Sequence, residues 1–147
     1  RERYPGSRIG AADHRLIGDI YGGSRIGFNY AIADDVNMRV FEVMAANSLL
    51  VTNALGGDDF SRLGFHDRRH LVLYRSPAEL FALIDYYLAH DDERRSIAEA
   101  GNRLVMERHT YVHRMRQLLE CVSQRLSLSR PAPTPVCRSN RRKRRYW

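Results

Sequence analysis

Apolar and polar positions along this chain alternate between two periods, one close to 3.6 residues and one of two. From Asp13 to about Tyr21, Leu16, Ile17 and Ile20 recur at helical spacing. Asp13 stands where an N-cap is expected, and Gly22 and Gly23 end the segment. The stretch RIGFNYA then alternates Ile26, Phe28 and Tyr30, which predicts a strand. A polar loop over 33–37 leads into MRVFEVMAA, which reads as a helix with Met38, Phe41, Met44 and Ala45 on one face. Asn47 follows it, at a place where Asn tolerates the left-handed conformation that ends helices. SLLVTN is a short, nearly continuous apolar run, the pattern of a strand buried on both faces of a parallel sheet. A glycine-containing loop over 54–69 separates it from HLVLY, a second run of that kind.

The remainder reads as helix. Ser76, Pro77 and Glu79 spell a capping box with Pro at the first helical position. The helix they start carries Leu80, Phe81, Ile84, Tyr87 and Leu88 at helical spacing. Asp91 is expected to cap a further helix with Ile97, Ala98, Gly101, Leu104 and Val105. Thr110 is expected to cap a last one, with Tyr111, Met115, Leu118, Leu119, Val122 and Leu126. Strands alternating with helices argue for an α/β fold: a small, three-stranded parallel sheet flanked by helices, about half of a doubly wound domain.

Length and charge refine this picture. The 147 residues suit one domain, expected over 1–129, followed at 130–147 by a Pro-rich and then basic tail expected to be disordered. The chain opens on Arg1, so it is expected to be a fragment or a processed product. It carries 24 basic and 17 acidic side chains. Seven basic residues and no acidic one lie from Arg130 onward, so the body is neutral and the excess belongs to the tail. A basic surface across the whole body, the usual footprint of a nucleic-acid binder, is therefore excluded. The tail RRKRRYW either contacts anionic lipid or nucleic acid or is a solvated end without a partner. There is no apolar run long enough to span a membrane and no signal-peptide pattern. Cys121 and Cys137 are too few for a disulfide framework and lack zinc spacing, so a reducing, cytoplasmic setting is expected.

Candidate chemistry concentrates on the helix at 38–46. Arg39 and Glu42, three apart, share a face opposite Met38, Phe41 and Met44. An Arg beside the free N–H groups of a helix start forms an anion site suited to phosphate, and Glu42 one turn inward suits sugar hydroxyls. The plainer alternative is an intrahelical ion pair on a solvated face. Asp58–Asp59 and Asp91–Asp92 are adjacent pairs without metal-cradle spacing, and Asp91, Asp92 and Glu93 fit a helix N-terminus. His109 and His113 are four apart but lack a third ligand; the expectation is that His109 closes one helix and His113 lies on the next. His66 and His70 read as surface, Tyr86 and Tyr87 as core, and Tyr74 as a strand-end aromatic rather than a nucleobase platform. The phosphate-loop and dinucleotide glycine motifs are both absent.

The stretches NMRVFEVMAANSLLVTNALGGDDF, EL…IDYYL…ERRSIAEAG and HTYVHRMRQLL, in this order and spacing, resemble the C-terminal domain of group 1 glycosyltransferases. They are most similar to the branch of spore-maturation or spore-coat glycosyltransferase-like proteins, over about residues 15–120. The resemblance implies a GT-B architecture, two Rossmann-like halves facing across a cleft, of which this chain holds the donor-binding half. The N-terminal half, the acceptor-binding domain, is the partner expected to be missing from this chain. Glu42 matches the second Glu of the family's Glu-x7-Glu motif, which contacts the donor ribose, while Asp34 takes the place of the first. Gly56 and Gly57 match the glycine turn near the donor, and Asn47 stands where the family has Gly. In the HTY stretch, Tyr111 is expected to pack and Arg114 to pair with a carboxylate.

The expected reaction is transfer of a sugar from a nucleoside diphosphate sugar to an acceptor, without a metal or other cofactor. Arg39, Asn37, Asn53, Gly56 and Gly57 are the expected donor and phosphate contacts, and Glu42 and Asp34 the expected catalytic carboxylates. The alternative is a binding or interaction module that keeps the fold without catalysis.

Overall fold

The structure, a computed structural model, describes residues 13–128, so the tail, its basic run and Cys137 lie outside the described residues. A single 3-10 turn, His14–Leu16, opens the described chain, and α1 (Ile17–Gly22) follows. Asp13 caps this entry, its carboxylate accepting from the Arg15 N–H at 2.9 Å. Strands β1 (Ile26–Asn29), β2 (Leu49–Asn53) and β3 (Val72–Tyr74) form one parallel sheet in that spatial order. Helix α2 (Met38–Ala45) links β1 to β2, and the short α3 (Asp59–Arg62) lies in the connection to β3. Then come α4 (Pro77–Ala89), α5 (Asp91–Arg108) and α6 (Tyr111–Leu128). The expected α/β order is present. The addition is α3, a single turn whose one buried residue, Phe60, gave no periodicity to read.

The first compact unit runs to Thr110 and the second begins at Tyr111. In the first, β2 is the middle strand and Leu49 to Thr52 are all buried. Alternate residues face opposite sides, as strand geometry requires. Leu50 joins Val40, Val43, Met44, Phe60, Phe65, Leu71 and Val105 in one cluster. Leu49 and Val51 join Val72, Tyr74, Leu83, Tyr87, Ile97 and Ala98 in the other. Helix α5 serves both. It lies along the N-terminal edge of the sheet: Arg94 donates to the Arg25 carbonyl just before β1, and Asn102 donates to the Met44 and Ala45 carbonyls at the end of α2. At Gly101 the helix passes so close to the chain entering β3 that a Cβ would overlap the His70 carbonyl oxygen.

Five local expectations need correction. The buried face of α2 is Val40, Val43 and Met44, while Met38 is 55% exposed. The cause is proximity: α2 sits so tightly on β1 that a Cβ on Gly27 would overlap Val43, and short branched side chains fill the seam. On β1 the buried phase is Gly27 and Asn29, and Phe28 and Tyr30 are exposed, because α2 covers the glycine side of this edge strand. Asp91 is the first residue of α5 and not its cap; His90 holds that position. Its carboxylate instead accepts from Arg94 and Arg25, cations that bind it more strongly than a backbone N–H does. Finally, Tyr111 is 72% exposed, and Tyr86, expected in the core, is 40% exposed.

Two terminal signals hold as expected. Asn47 adopts φ of 60°, and the bonds from Asn47 N to Met44 O and from Ser48 N to Val43 O complete a Schellman end to α2. The Ser76 hydroxyl accepts from the Glu79 N–H, while Glu79 reaches back to the Arg75 N–H.

Replacing Gly101 by Ala forces α5 away from the His70 carbonyl, and urea denaturation should show a loss of about 1–3 kcal/mol. The Arg94 and Arg25 hydrogen bonds hold the Asp91 carboxyl at about 2, below its ordinary 3.8. Because the folded-state value is the lower one, the ionised form favours folding. Its contribution is whole above pH 3.8 and is lost as pH falls through 2. Melting scans across that window should show the decline, and Asp91→Asn should flatten it.

Candidate functional site

With α5 along the N-terminal edge, the C-terminal edge of the strands is where loops converge. Ligands of parallel α/β sheets bind beyond these strand ends. Strands β1, β2 and β3 end on Asn29, Asn53 and Tyr74. Asn29 is fully buried, and its amide is used on both sides. Nδ2 donates to Thr52 Oγ1 at 3.1 Å, tying β1 to β2. Oδ1 accepts from Asn37 Nδ2 at 3.3 Å and from the Arg39 guanidinium at 3.4 Å, tying the strand to the start of α2. The Asn29 carbonyl accepts from the Tyr74 hydroxyl at 3.4 Å. Burial, with Tyr30 nearby, pushes the Tyr74 hydroxyl pKa up and so keeps that donor protonated.

Asn37 occupies the N-cap position of α2 in an extended conformation, yet its side chain caps nothing. The amide turns to Asn29, and its Oδ1 is buried with no hydrogen-bond partner. The first turn of α2 thus has no side-chain cap, and Arg39, exposed, stands on that turn. Glu42 is half-buried one turn further. Among the described residues, Arg39 and Glu42 form no ion pair with each other. The loops above the strands are pinned by side chains. Asn53 brackets Ala31, accepting from its N–H at 2.7 Å and donating to its carbonyl at 3.4 Å. Asp34, with φ of 55°, accepts from the Gly56 N–H at 2.9 Å and 3.2 Å through its two oxygens. A Cβ on Gly56 would come within 2.9 Å of that carboxylate, whereas Gly57 has open space on all but the Asp59 side.

The structure therefore brings Asn37 and Arg39 together through Asn29, places Glu42 along the same helix, and joins Asp34 to Gly56. Asn53 anchors the loop between. The residues that sequence reasoning passed over are Asn29 and Thr52. The signal was present: an Asn inside IGFNYA and a Thr inside LLVTN are polar groups within buried strands, and such groups need partners. Tyr74 is 6% exposed and stacks on Phe28 with ring centroids 6.1 Å apart, the packing expected of a strand-end aromatic.

The histidines separate as expected. His109 follows α5, its Nε2 2.9 Å from the Leu63 carbonyl and its ring 5.0 Å from Phe65, while His113 lies in α6. His66 is exposed, and its N–H donates to His70 Nδ1 at 3.1 Å within the loop. Among the described residues, no three His, Cys, Asp or Glu side chains gather as a metal-binding set.

Comparison with known proteins bears directly on this edge. No curated protein matches the chain. A family model described as glycosyl transferase-like matches residues 3–120, which take in every strand and the whole C-terminal edge. The chain belongs to the glycosyl transferase-like family.

Proposed function

We propose that the C-terminal edge of the sheet binds the nucleoside diphosphate sugar that a glycosyltransferase uses as donor. The observation that carries the reading is the start of α2: a first turn without a side-chain cap, an exposed Arg39 beside it, and a buried Asn37 oxygen without a partner. A guanidinium beside a helix start without a side-chain cap suits a diphosphate. The Asn37 oxygen is an acceptor awaiting a donor, as a sugar or base N–H or hydroxyl would supply.

Sugar transfer breaks the bond between the anomeric carbon and the phosphate oxygen, and negative charge grows on the leaving diphosphate. Fixed positive groups stabilise that charge best when they need no reorganisation. Arg39 is held by Asn29, itself locked to Thr52, so its guanidinium is positioned before a donor arrives. In this reading Glu42 accepts from ribose hydroxyls, and Gly57 admits the donor closely. Asp34 stays near the sugar end and acts by holding Gly56 in place. The acceptor is bound by a second, N-terminal domain of GT-B type. No metal takes part. A second reading, a binding module of the same fold without turnover, is favoured by the engagement of Asp34 with a backbone N–H, which leaves the acid less available to the sugar.

Titration calorimetry with uridine, guanosine, adenosine and thymidine diphosphates tests the donor site. One base should bind selectively. Arg39→Ala should weaken that binding about tenfold or more, the worth of a charge-assisted hydrogen bond, with melting unchanged. Equal affinity in the variant would remove the proposal. Asn29→Ala should act differently. It leaves buried partners unpaired and should cost about 1–3 kcal/mol of stability in denaturant titrations, while also weakening the nucleotide through a misplaced Arg39.

A further inference from the structure

We propose that α6 is a membrane-surface helix that lays its apolar face into an anionic lipid bilayer. Tyr111, Met115, Leu118, Leu119, Val122 and Leu126 are all exposed, between 44% and 72%. At 3.6 residues per turn these six fall within an arc of about 120°. The same geometry sets Arg114 and Arg125 at one border of the arc and Arg116 at the other, and puts Glu120, the helix's one acidic residue, on the far side. An apolar centre with cations on both shoulders fits a flat interface, where acyl chains receive the centre and lipid phosphates meet the cations.

An amphipathic helix binds more strongly where a second, electrostatic attraction to anionic lipid adds to its buried apolar area. The sequence supplies one immediately downstream: seven basic and no acidic residues from Arg130 onward. A polybasic stretch of this kind is attracted to anionic lipid. Among the described residues no helix is long and apolar enough to cross a membrane, so α6 lies on the surface and does not span it. A second copy of the chain fits the face less well. Facing helices would bring arginine shoulders together, and the arc is wider than a two-stranded seam needs. Nucleic acid would take the cations but offers nothing to the apolar arc.

The test is flotation of the full chain with vesicles of phosphatidylcholine alone and of phosphatidylcholine with phosphatidylglycerol, at low and raised salt. The two buried clusters of the first unit comprise residues between Tyr21 and Val105, so Leu118→Glu with Val122→Glu leaves them in place, and melting serves as the control. The expected result is binding to the anionic vesicles only, weakened by salt, and reduced at least about tenfold by the double substitution. Four results would each overturn the proposal. They are no binding by the wild-type chain, equal binding by the variant, a stable dimer that the variant dissociates, and a preference for duplex DNA that the variant retains.

Discussion

A strand buried on both faces has to be covered twice, and in this domain one helix contributes to both covers. Residues Ile97 and Ala98 of α5 belong to the cluster on one side of β2, and Val105 belongs to the cluster on the other. This is possible only because α5 runs along the N-terminal edge of the sheet at backbone-contact distance, with Gly101 against the His70 carbonyl. Arg94, Asn102 and Asp91 then fasten it to the chain entering β1 and leaving α2. The arrangement closes one end of the sheet and leaves the opposite end to loops. The location of the site is thus a consequence of how the core is closed.

At that opposite end the organising group is a neutral amide. Asn29 has a donor and an acceptor to place, and burial obliges it to place both. One half joins β1 to β2; the other orients a neutral Asn37 and a cationic Arg39 at the head of α2. A carboxylate in the same position would hold Arg39 more firmly, but it would also cancel its charge. The amide fixes the guanidinium without neutralising it. The loops above are held in the same manner, Asn53 on Ala31 and Asp34 on Gly56, each by a side chain gripping backbone. Loops pinned in this way would need little ordering on binding a ligand, which lowers the entropic cost.

How much of this was legible in the sequence depended on the range of the interaction. The left-handed Asn47, the Ser76 cap, the doubly buried β2 and the largely buried β3 were readable because their causes lie within a few residues. The face of α2 was not, since Met38 and Val43 differ in hydrophobicity far less than in the space that Gly27 leaves for them. Asp91 looked like a cap until two arginines, one of them 66 positions away, claimed it. For the site, sequence order alone put Asn37, Arg39 and Glu42 on one helix. The pairings of Asp34 with Gly56, 22 positions apart, and of Asn29 with Thr52, 23 apart, cross between elements and leave no trace in periodicity.

The two edges of the sheet are finished differently. Beyond β3, the loop at 66–71 folds back, with a bridge between Asp67 and Leu71 and the Asp67 carboxylate accepting from the Leu73 N–H. Among the described residues β1 has no neighbour on its outer side, and Phe28 is half-exposed along it. An open edge is a template for any extended segment that meets it. Edge-to-edge pairing between copies is the hazard such an edge leaves, and it grows with concentration.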